Sequence, residues 1–280
     1  MNGIILVNKP SGYTSHDIVG ILRKKLKTKK VGHCGTLDPD ATGVLVVCVN
    51  KATKAIQFLT ADDKEYIATL SLGTSTDTYD ASGKVIESKE VQPIKKEQIE
   101  NVLKQFVGFQ KQMPPMYSAI KVNGKKLYEY ARAGEEVKVE PRSITIHDIQ
   151  LLDYHDHLIK IKVSCSKGTY IRSLCVDIAK KLGYPGHMAK LIRTCSGDFK
   201  IEQCATLEEI EAGDFNVITL DEALKCYPQY VVEDENIVFH GKKIKSDLTG
   251  MVAIYNKEGH VLAMYQDDGQ GYLKNVRGLW

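Results

Sequence analysis

The residues best suited to chemistry lie in one short loop, residues 32–39, which reads GHCGTLDP. Its glycines permit left-handed backbone and the close approach of a ligand. Pro39 biases Asp38 toward an extended conformation, which holds the Asp38 carboxylate away from helical pairing. Loops that join regular elements often carry catalytic residues, but Asp-Pro is also common in turns. The loop alone leaves two interpretations open, a catalytic Asp38 or a turn that Asp38 caps while His33 packs.

A lone carboxylate needs a partner that keeps it ionised and oriented, and Arg172 is the candidate. It ends the segment KGTYIR, which follows a strand-like run and opens a helix-like one. An arginine beside an aspartate lowers the pKa of the carboxyl group by about 1–3 and can bind it through two hydrogen bonds. An ordinary surface arginine is the alternative.

Two tyrosines stand close to basic residues and could stack on a nucleobase. Tyr66 follows Lys64 at the start of a predicted strand, and Tyr170 stands two residues before Arg172. Stacking on an aromatic ring contributes about 1–3 kcal/mol per base. For either ring, a place in the core is the alternative.

Residues 112–141, the inserted segment, contain adjacent prolines, two glycines and many charges. They are expected to form an excursion from the core. Its tyrosines are interleaved with basic residues such as Lys121 and Arg132, a pattern typical of RNA-contacting segments. A solvated hairpin followed by a helical stretch is the alternative.

The net charge of +3 conceals an uneven distribution. Residues 1–200 contain 31 Lys and Arg against 21 Asp and Glu, a net of +10, whereas residues 201–280 contain 7 against 14, a net of −7. Six cations stand among residues 23–30, at the end of a predicted helix. This distribution predicts an anionic partner on the first part of the chain, and chance clustering of surface charge is the alternative.

Composition excludes several classes of protein. With 280 residues, 43% hydrophobic and 26% charged, the chain matches a globular protein rather than a disordered or collagen-like one. It contains no apolar run of about 18 residues, and its first residues do not resemble a signal peptide. The seven cysteines form no C-x-x-C pair, which argues against zinc and disulfides and favours reduced thiols in a cytoplasm. The sequence contains neither G-x-x-x-x-G-K-[ST] nor G-x-G-x-x-G, the two glycine motifs that bind phosphates. A nucleotide cofactor therefore has no support.

The elements that must position these residues do not alternate regularly along the chain. Patterning predicts strands at 4–7, 44–49, 66–72 and 159–165, and helices at 16–27, 95–106, 171–182 and 187–192. Ser15 is expected to cap the first helix, while Thr206 with Glu209 and Thr219 with Glu222 form capping boxes. A hairpin is predicted within residues 251–265. The fold class is therefore α+β, with a mixed, mainly antiparallel sheet flanked by helices and loops.

A series of segments resembles the motifs of the TruB family of tRNA pseudouridine-55 synthases, in the same order and over about 200 residues. The segments are VNKPSGYTSHDIV, GHCGTLDPDATGVL, KEYIATLSLGTSTDTYDASG, PPMYSAIKVNGKKLYEYARAGEEV, SCSKGTYIRSLCVDIAKKLG and HMAKLIRTCSGDF. The resemblance implies the pseudouridine synthase fold over residues 1–228, with the inserted segment gripping RNA. Residues 229–280 resemble a reduced PUA-like β domain.

The resemblance also implies a reaction and its residues. Uridine 55 in the T loop of tRNA would be isomerised by cleavage of its glycosidic bond, rotation of the base and re-attachment through C5. The matching positions give a catalytic Asp38, a stacking Tyr66 and Arg172 as partner of Asp38. Tyr170 and Leu191 match residues that line the pocket, and His33 matches a histidine near the flipped-out nucleotide. Lys121 and Arg132, in the segment that resembles the RNA-gripping one, are expected to contact the substrate. Lys9 and Pro10 match a first motif with a mainly structural role.

The same resemblance implies a cytoplasmic enzyme that uses no metal or cofactor, binds the T stem-loop of tRNA and no membrane, and is a monomer by default. Two alternatives come from other classes. One is a non-catalytic RNA-binding or RNA-folding protein on the same scaffold, against which the presence of all three catalytic candidates argues. The other is a nucleoside hydrolase, which usually needs a second carboxylate.

Overall fold

The structure is a computed structural model that describes residues 1–60 and 63–280. The chain divides into two compact units. The first unit contains Met1–Pro39, Val44–Ala61 and Glu202–Trp280, and the second contains Asp40–Gly43 and Asp62–Ile201. Among the described residues, no helix has both the length and the apolar character that a membrane crossing requires.

Strands and helices are numbered in chain order. The strands are β1 (Gly3–Lys9), β2 (Val31–Cys34), β3 (Thr42–Val49), β4 (Lys64–Leu72), β5 (Thr74–Thr76), β6 (Val85–Ser88), β7 (Gly108–Gln112), β8 (Lys121–Val122), β9 (Lys125–Lys126), β10 (Arg142–His155), β11 (Leu158–Cys165), β12 (Gly186–Ser196), β13 (Phe199–Lys200), β14 (Gln229–Val231), β15 (Ile244–Lys245), β16 (Met251–Tyr255), β17 (Val261–Asp267) and β18 (Tyr272–Gly278). The helices are α1 (Ser15–Lys25), α2 (Ile56–Leu59), α3 (Lys96–Lys104), α4 (Leu127–Ala133), α5 (Ile171–Lys181), α6 (Leu207–Ala212), α7 (Leu220–Ala223) and α8 (Asn236–Phe239). Two 3₁₀ helices cover Asn50–Ala55 and Ile201–Gln203.

In the first unit, α1 packs on a small sheet formed by β1, β2 and β3. Strand β2 pairs antiparallel with β3, and β1 lies on the other side of β3. The apolar side chains of these strands share a core with Ile18, Val19 and Leu22 of α1. Burial of this amphipathic stripe, rather than helix propensity, supplies most of the stability of such a short helix.

The cap of α1 differs from the sequence prediction. Thr14, not Ser15, is the N-cap residue, and it forms a capping box with Asp17. The Thr14 hydroxyl accepts from the Asp17 amide at 3.1 Å, and the Asp17 carboxylate accepts from the Thr14 amide at 2.7 Å. The Asp17 carboxylate also accepts from the Thr14 hydroxyl at 2.7 Å. The bonds from the hydroxyl and the amide of Thr14 hold the pKa of Asp17 below its usual value. Ser15 instead bonds to Leu37, in the loop that carries Asp38.

In the second unit, five strands form a sheet in the order β12-β4-β11-β10-β7, and each neighbouring pair is antiparallel. The first two residues of β3 add a parallel contact, because Thr42 and Gly43 pair with Ile192 and Arg193 of β12. The mixed, mainly antiparallel sheet predicted from the sequence is thereby confirmed. Helix α5 packs against β12 and β4, and α3 packs against β10.

Gly43 is fixed by a close approach of two backbones. Its φ is +101°, and a Cβ at this position would lie 2.2 Å from the carbonyl oxygen of Arg193. A residue with a side chain is therefore excluded here both by conformation and by space.

Residues 187–192, predicted as a short helix, belong to β12 instead. The inward positions of this strand are spaced alternately by two and three residues, because its register against β4 shifts between Met188 and Lys190 and again between Arg193 and Cys195. Two β-bulges therefore mix a three-residue spacing into the strand. That spacing imitates the periodicity of a helix, which explains the wrong prediction.

The last part of the first unit is a five-stranded sheet in the order β14-β16-β17-β18-β15. The predicted hairpin is confirmed, since β16 and β17 are antiparallel neighbours. Asp221 of α7 joins this sheet to the preceding helices, because its carboxylate accepts from the Val261 amide at 2.6 Å and contacts His260 at 3.1 Å. Both predicted capping boxes are also present, at the starts of α6 and α7.

Candidate active site

The loop that carries Asp38 is fastened on both sides of that residue. Before it, the Ser15 hydroxyl accepts from the Leu37 amide at 2.9 Å and donates to the Leu37 carbonyl at 3.2 Å. After it, the Pro39 carbonyl accepts from the ammonium group of Lys9 at 2.8 Å and from the Gly12 amide at 3.1 Å. Asp38 itself is partly exposed. The backbone of this carboxylate is thus held in place while its side chain stays accessible.

Lys9 is a completely buried lysine at the end of β1. Its ammonium group donates to the carbonyl oxygens of Pro10 at 2.9 Å, Tyr13 at 2.6 Å and Pro39 at 2.8 Å. A buried ammonium is costly unless its three donors are satisfied, and here three carbonyls meet that need. Lys9 thereby ties the first motif to the loop of Asp38.

His33 lies in β2, opposite Val47 of β3. It is partly buried, and its ring meets the ring of His16 edge to face, with centroids 5.4 Å apart. His16 is exposed in the first turn of α1. His33 therefore shares the first unit with Asp38, and the remaining predicted site residues lie in the second unit.

In the second unit, Tyr66 and Leu191 lie on one buried face of the sheet. Tyr66 pairs with Arg193 of β12, and Leu191 pairs with Ala68, two residues further along β4. Side chains at opposite and diagonal positions of an antiparallel pair point to the same face. Tyr66 is 9% exposed and Leu191 is 6% exposed. The ring and the aliphatic side chain thus form one wall.

The same wall contains a residue that sequence reasoning did not select. Arg193, directly opposite Tyr66, is 1% exposed and is among the largest completely buried side chains of the described chain. A fully buried guanidinium is rare unless it is paired. The signal was its position in the segment HMAKLIRTCSGDF, but the two bulges of β12 hide from the sequence which face it occupies.

Glu65 shows that the opposite face of β4 is a solvated one. Its carboxylate binds Lys162 at 2.9 Å and accepts from the Thr194 hydroxyl at 2.8 Å. Partial burial raises the pKa of Glu65, but the hydrogen bonds from Lys162 and Thr194 outweigh it and leave the pKa below its usual value. The neighbouring residues Glu65 and Tyr66 therefore serve opposite faces, as the period of a strand requires.

Arg172 lies in the first turn of α5 and is 7% exposed. Its Nη1 donates to the Thr78 carbonyl at 3.1 Å and lies 3.5 Å from a carboxylate oxygen of Asp80, and its Nη2 donates to the Tyr117 carbonyl at 2.9 Å. Tyr170, two residues earlier, is the partly exposed N-cap of α5. The two predicted residues are therefore presented by the start of one helix.

Asp80 is a second residue that sequence reasoning did not assign to the site. One of its oxygens accepts from the Thr78 hydroxyl at 2.7 Å and from the amide and hydroxyl of Ser82 at 3.0 and 2.6 Å. The preceding residue, Tyr79, has a φ of +65°, a conformation that is uncommon for a residue with a side chain. The turn therefore holds Asp80 so that its other oxygen faces Arg172. The signal available in the sequence was only a polar, turn-forming segment.

Lys121 and Arg132 lie on the inserted segment, which forms the hairpin β8–β9 followed by α4. Both are exposed. Lys126 and Arg132 each lie over the Tyr128 ring, 5.4 Å from its centroid. Cations above aromatic rings form a surface that suits phosphates and bases.

The structure thus brings Tyr66 and Leu191 to one face of the sheet and places Tyr170 and Arg172 at the start of one helix. Lys121 and Arg132 lie on different elements of the inserted segment, β8 and α4. Asp38 and His33 share the other unit, so the pairing of Asp38 with Arg172 stays a prediction. Within the described ranges, no three His, Cys, Asp or Glu side chains are grouped as the ligands of a metal ion would be.

The chain matches the models of a known protein family and several of its members. The family model described as "TruB family pseudouridylate synthase (N terminal domain)" matches residues 23–171, and "tRNA pseudouridylate synthase B C-terminal domain" matches residues 172–226. A Bacillus cytotoxicus protein named tRNA pseudouridine synthase B is 47% identical over 299 aligned positions, covering 100% of this chain and 97% of that one. The Bacillus subtilis protein of the same name is 46% identical, covering 95% and 93%.

A solved structure is similar over almost the whole chain. A protein in the crystal structure of a Cbf5–Nop10–Gar1 complex is 26% identical, with a TM-score of 0.77, covering 99% of this chain and 85% of that one. This similarity confirms the predicted fold class, including the small β unit at the end of the chain.

Proposed function

Because this chain belongs to the TruB family of pseudouridylate synthases, we propose that it isomerises uridine 55 in the T loop of tRNA to pseudouridine. The reaction breaks the bond between N1 and C1′, turns the uracil and joins C5 to C1′, while the proton on C5 is lost and N1 gains one. The observation that supports this proposal most strongly is the loop of Asp38, which hydrogen bonds hold on both sides of that residue. The loop occurs in a chain that is 47% identical to a tRNA pseudouridine synthase B.

Asp38 is the catalytic carboxylate in this proposal. Breaking the glycosidic bond places positive charge on the ribose, and a carboxylate beside C1′ stabilises that charge or bonds to the carbon. Such a group must be held before the reaction begins, since reorganisation during the reaction would raise the barrier. The hydrogen bonds to Leu37 and Pro39 supply that order.

Tyr66 and Leu191 hold the uracil while it is detached. A base that leaves its stack costs a few kcal/mol, which stacking on the Tyr66 ring offsets. The apolar side chain of Leu191 beside this ring keeps water from the detached base. Their place on one buried face of the sheet supports this role.

Arg172 is the partner of Asp38, and Tyr170 and His33 line the pocket. A guanidinium can bind a carboxylate through two parallel hydrogen bonds, but only if its own plane is fixed. The bonds from Arg172 to the carbonyls of Thr78 and Tyr117 and its ion pair with Asp80 fix that plane.

The T stem-loop of tRNA is the partner, gripped by Lys121 and Arg132 of the inserted segment and by the cations of residues 23–30. Exposed cations bind phosphates by releasing counterions. We place catalysis in a domain of residues 1–228 and a PUA-like β domain in residues 229–280. The enzyme acts as a cytoplasmic monomer without metal or cofactor.

Incubation with a T stem-loop RNA, followed by mapping of modified positions, tests class, substrate and position together. Pseudouridine at position 55 is expected, with no release of free uracil. Free uracil would instead indicate a hydrolase, and unmodified but bound RNA would indicate a non-catalytic RNA-binding protein, an alternative that the family relationship does not support.

A further inference from the structure

Gln112 joins the base of the inserted segment to the start of α5. It is the last residue of β7 and is 4% exposed. Its side-chain oxygen accepts from the Tyr170 amide at 2.8 Å, and its side-chain nitrogen donates to the Tyr170 carbonyl at 3.0 Å. Only one orientation of the amide satisfies both bonds. The Gln112 side chain therefore holds the peptide groups of Tyr170 as a neighbouring strand would.

Two more hydrogen bonds connect the same stretches of chain. The Ser173 hydroxyl donates to the Met113 carbonyl at 2.8 Å, and Arg172 donates to the Tyr117 carbonyl at 2.9 Å. Tyr170, Arg172 and Ser173 are thus all bound by residues 112–117. The start of α5 is defined by the beginning of the inserted segment.

The start of α5 needs such support. Tyr170 is its N-cap residue but makes no side-chain capping bond. Its carbonyl accepts the first helical bond, from Leu174 at 3.0 Å, in addition to the bond from Gln112. A helix end without a side-chain cap leaves backbone donors to be satisfied from elsewhere, and Gln112 fixes the residue from which the helix begins.

We propose that Gln112 is a positioning residue, which sets the entry of α5 and through it the placement of Tyr170 and Arg172 for the reaction. Both polar atoms of its amide are bound to Tyr170 and the side chain is 4% exposed, so it acts through Tyr170. Loss of these bonds leaves the residues that grip RNA in place and moves the residues that act on the uridine. This inference rests on the proposed function.

The test uses the full-length enzyme, a T stem-loop RNA and three variants. Gln112→Met keeps the volume and loses both bonds. Gln112→Glu keeps the acceptor for the Tyr170 amide but, when ionised, has no donor for the Tyr170 carbonyl. Gln110→Met is the matched control, since Gln110 lies two residues earlier on β7 and its amide binds the Phe106 carbonyl rather than α5.

The single-turnover rate of Gln112→Met is expected to fall by about tenfold or more, with the Kd for RNA within about twofold of the wild-type value, because the lost interaction acts on the reaction and not on binding. Gln110→Met is expected to keep the wild-type rate. A wild-type rate in Gln112→Met, or an equal loss of RNA affinity, overturns the inference. A wild-type enzyme that forms no pseudouridine overturns the proposed function instead.

The second measurement is the rate of Gln112→Glu, relative to wild type, as a function of pH. A purely structural role of Gln112 would leave this ratio independent of pH. The measurement also tests the inference if Gln112→Met does not fold. A protonated glutamic acid can donate to the Tyr170 carbonyl and accept from its amide, which restores both bonds. Burial raises the pKa of a carboxyl group. The rate relative to wild type is therefore expected to rise as the pH falls from about 8 toward the ordinary pKa of about 4.3. A ratio independent of pH contradicts the inference.

Discussion

Arg172 and Asp80 form a buried ion pair, in which Nη1 of the arginine lies 3.5 Å from one oxygen of the carboxylate. The side chains are only 8% and 17% exposed, so solvent screens the pair much less than a surface pair. The turn around Asp80 orients the carboxylate, and the carboxylate orients the guanidinium. The arginine of the proposed site is therefore held by a carboxylate of its own unit.

Asp80→Asn is expected to lower the rate of pseudouridine formation by about 10- to 100-fold, since a hydrogen bond to a charged group contributes about 1.5–3 kcal/mol. RNA affinity is expected to stay within a few-fold. Single-turnover kinetics on a T stem-loop RNA measure the effect. Asp77→Asn is the control in the same turn, because an amide oxygen can still accept from the Lys84 amide as Asp77 does. Equal rates for Asp80→Asn and the control would show that the ion pair is dispensable.

Asp38→Asn is expected to lower the same rate by at least about 10³-fold, as expected when the central group of a catalytic set is removed. RNA binding is expected to remain within a few-fold, because a carboxylate does not attract phosphate. The rate and the Kd are measured on the same RNA. Pseudouridine formation at the wild-type rate would remove Asp38 from its proposed role.

Lys9→Met is expected to lower the free energy of unfolding by about 2–4 kcal/mol, because the carbonyls that Lys9 satisfies lose a charged donor. The rate is expected to fall as well, since the Pro39 carbonyl next to Asp38 is one of them. Urea denaturation and single-turnover kinetics measure the two effects. Lys51→Met, an exposed lysine of the same unit, serves as the control. Comparable stability of the two variants would argue against a structural role for Lys9.

The exposed lysines that follow α1 are expected to contribute to the salt dependence of RNA binding. Each phosphate contact that is lost reduces the slope of log Kd against log salt concentration by about 1. Replacing Lys29 and Lys30 by glutamine is therefore expected to reduce the slope by up to about 2. The control is the same double change at Lys95 and Lys96, which lie at the start of α3. Identical slopes for wild type and Lys29/Lys30 variant would remove this cluster from the RNA interface.

The buried thiols are expected to resist alkylation. Burial raises the pKa of Cys175 to about 12 and that of Cys165 to about 11, so at pH 8 the reactive thiolate is about one part in 10³ or less. Cys226 is exposed and is expected to react first with iodoacetamide. Mass spectrometry of timed samples, with and without urea, measures the order. Labelling of Cys175 as fast as Cys226 in the folded protein would contradict the burial argument.

The sequence predicts those elements whose signals are local. The capping boxes of α6 and α7 each depend on two residues three apart, and the β16–β17 hairpin depends on one turn between two apolar runs. Thr14 was missed as a cap because Ser15 and Thr14 are both good capping residues. The choice is made by Leu37, which binds the Ser15 hydroxyl from 22 positions away.

Site residues that belong to a sequence motif were predicted. Site residues that are defined by contacts between distant segments were missed. Asp80 and Arg172 are 92 positions apart, and nothing in either segment indicates the other. Arg193 faces the wall beside Tyr66 because of a bulge, which periodicity cannot reveal. Gln112 and Tyr170 are connected by a side chain that acts on backbone groups, and such bonds leave no compositional signal.

The acidic part of the chain can now be located more closely. Residues 201–228 contain seven acidic residues against one basic, whereas residues 229–280 contain seven against six. The negative charge therefore belongs mainly to the segment with α6 and α7. At the last sheet, by contrast, Lys274 of β18 and Lys243, next to β15, both contact the nearly buried carboxylate of Asp268, at 3.8 and 3.1 Å. The surface of this unit is therefore not uniformly acidic.

The two bulges of β12 determine where this strand can change length. Removing Ala189, at the first bulge, would leave Met188 and Leu191 two positions apart and both still inward, so the strand would only lose a local twist. Removing Ile192 would make Leu191 and Arg193 adjacent, and one of the two would turn to the opposite face. A deletion at the first bulge therefore keeps the inward residues in phase, whereas the four residues between the two bulges, Lys190 to Arg193, do not permit a change in number.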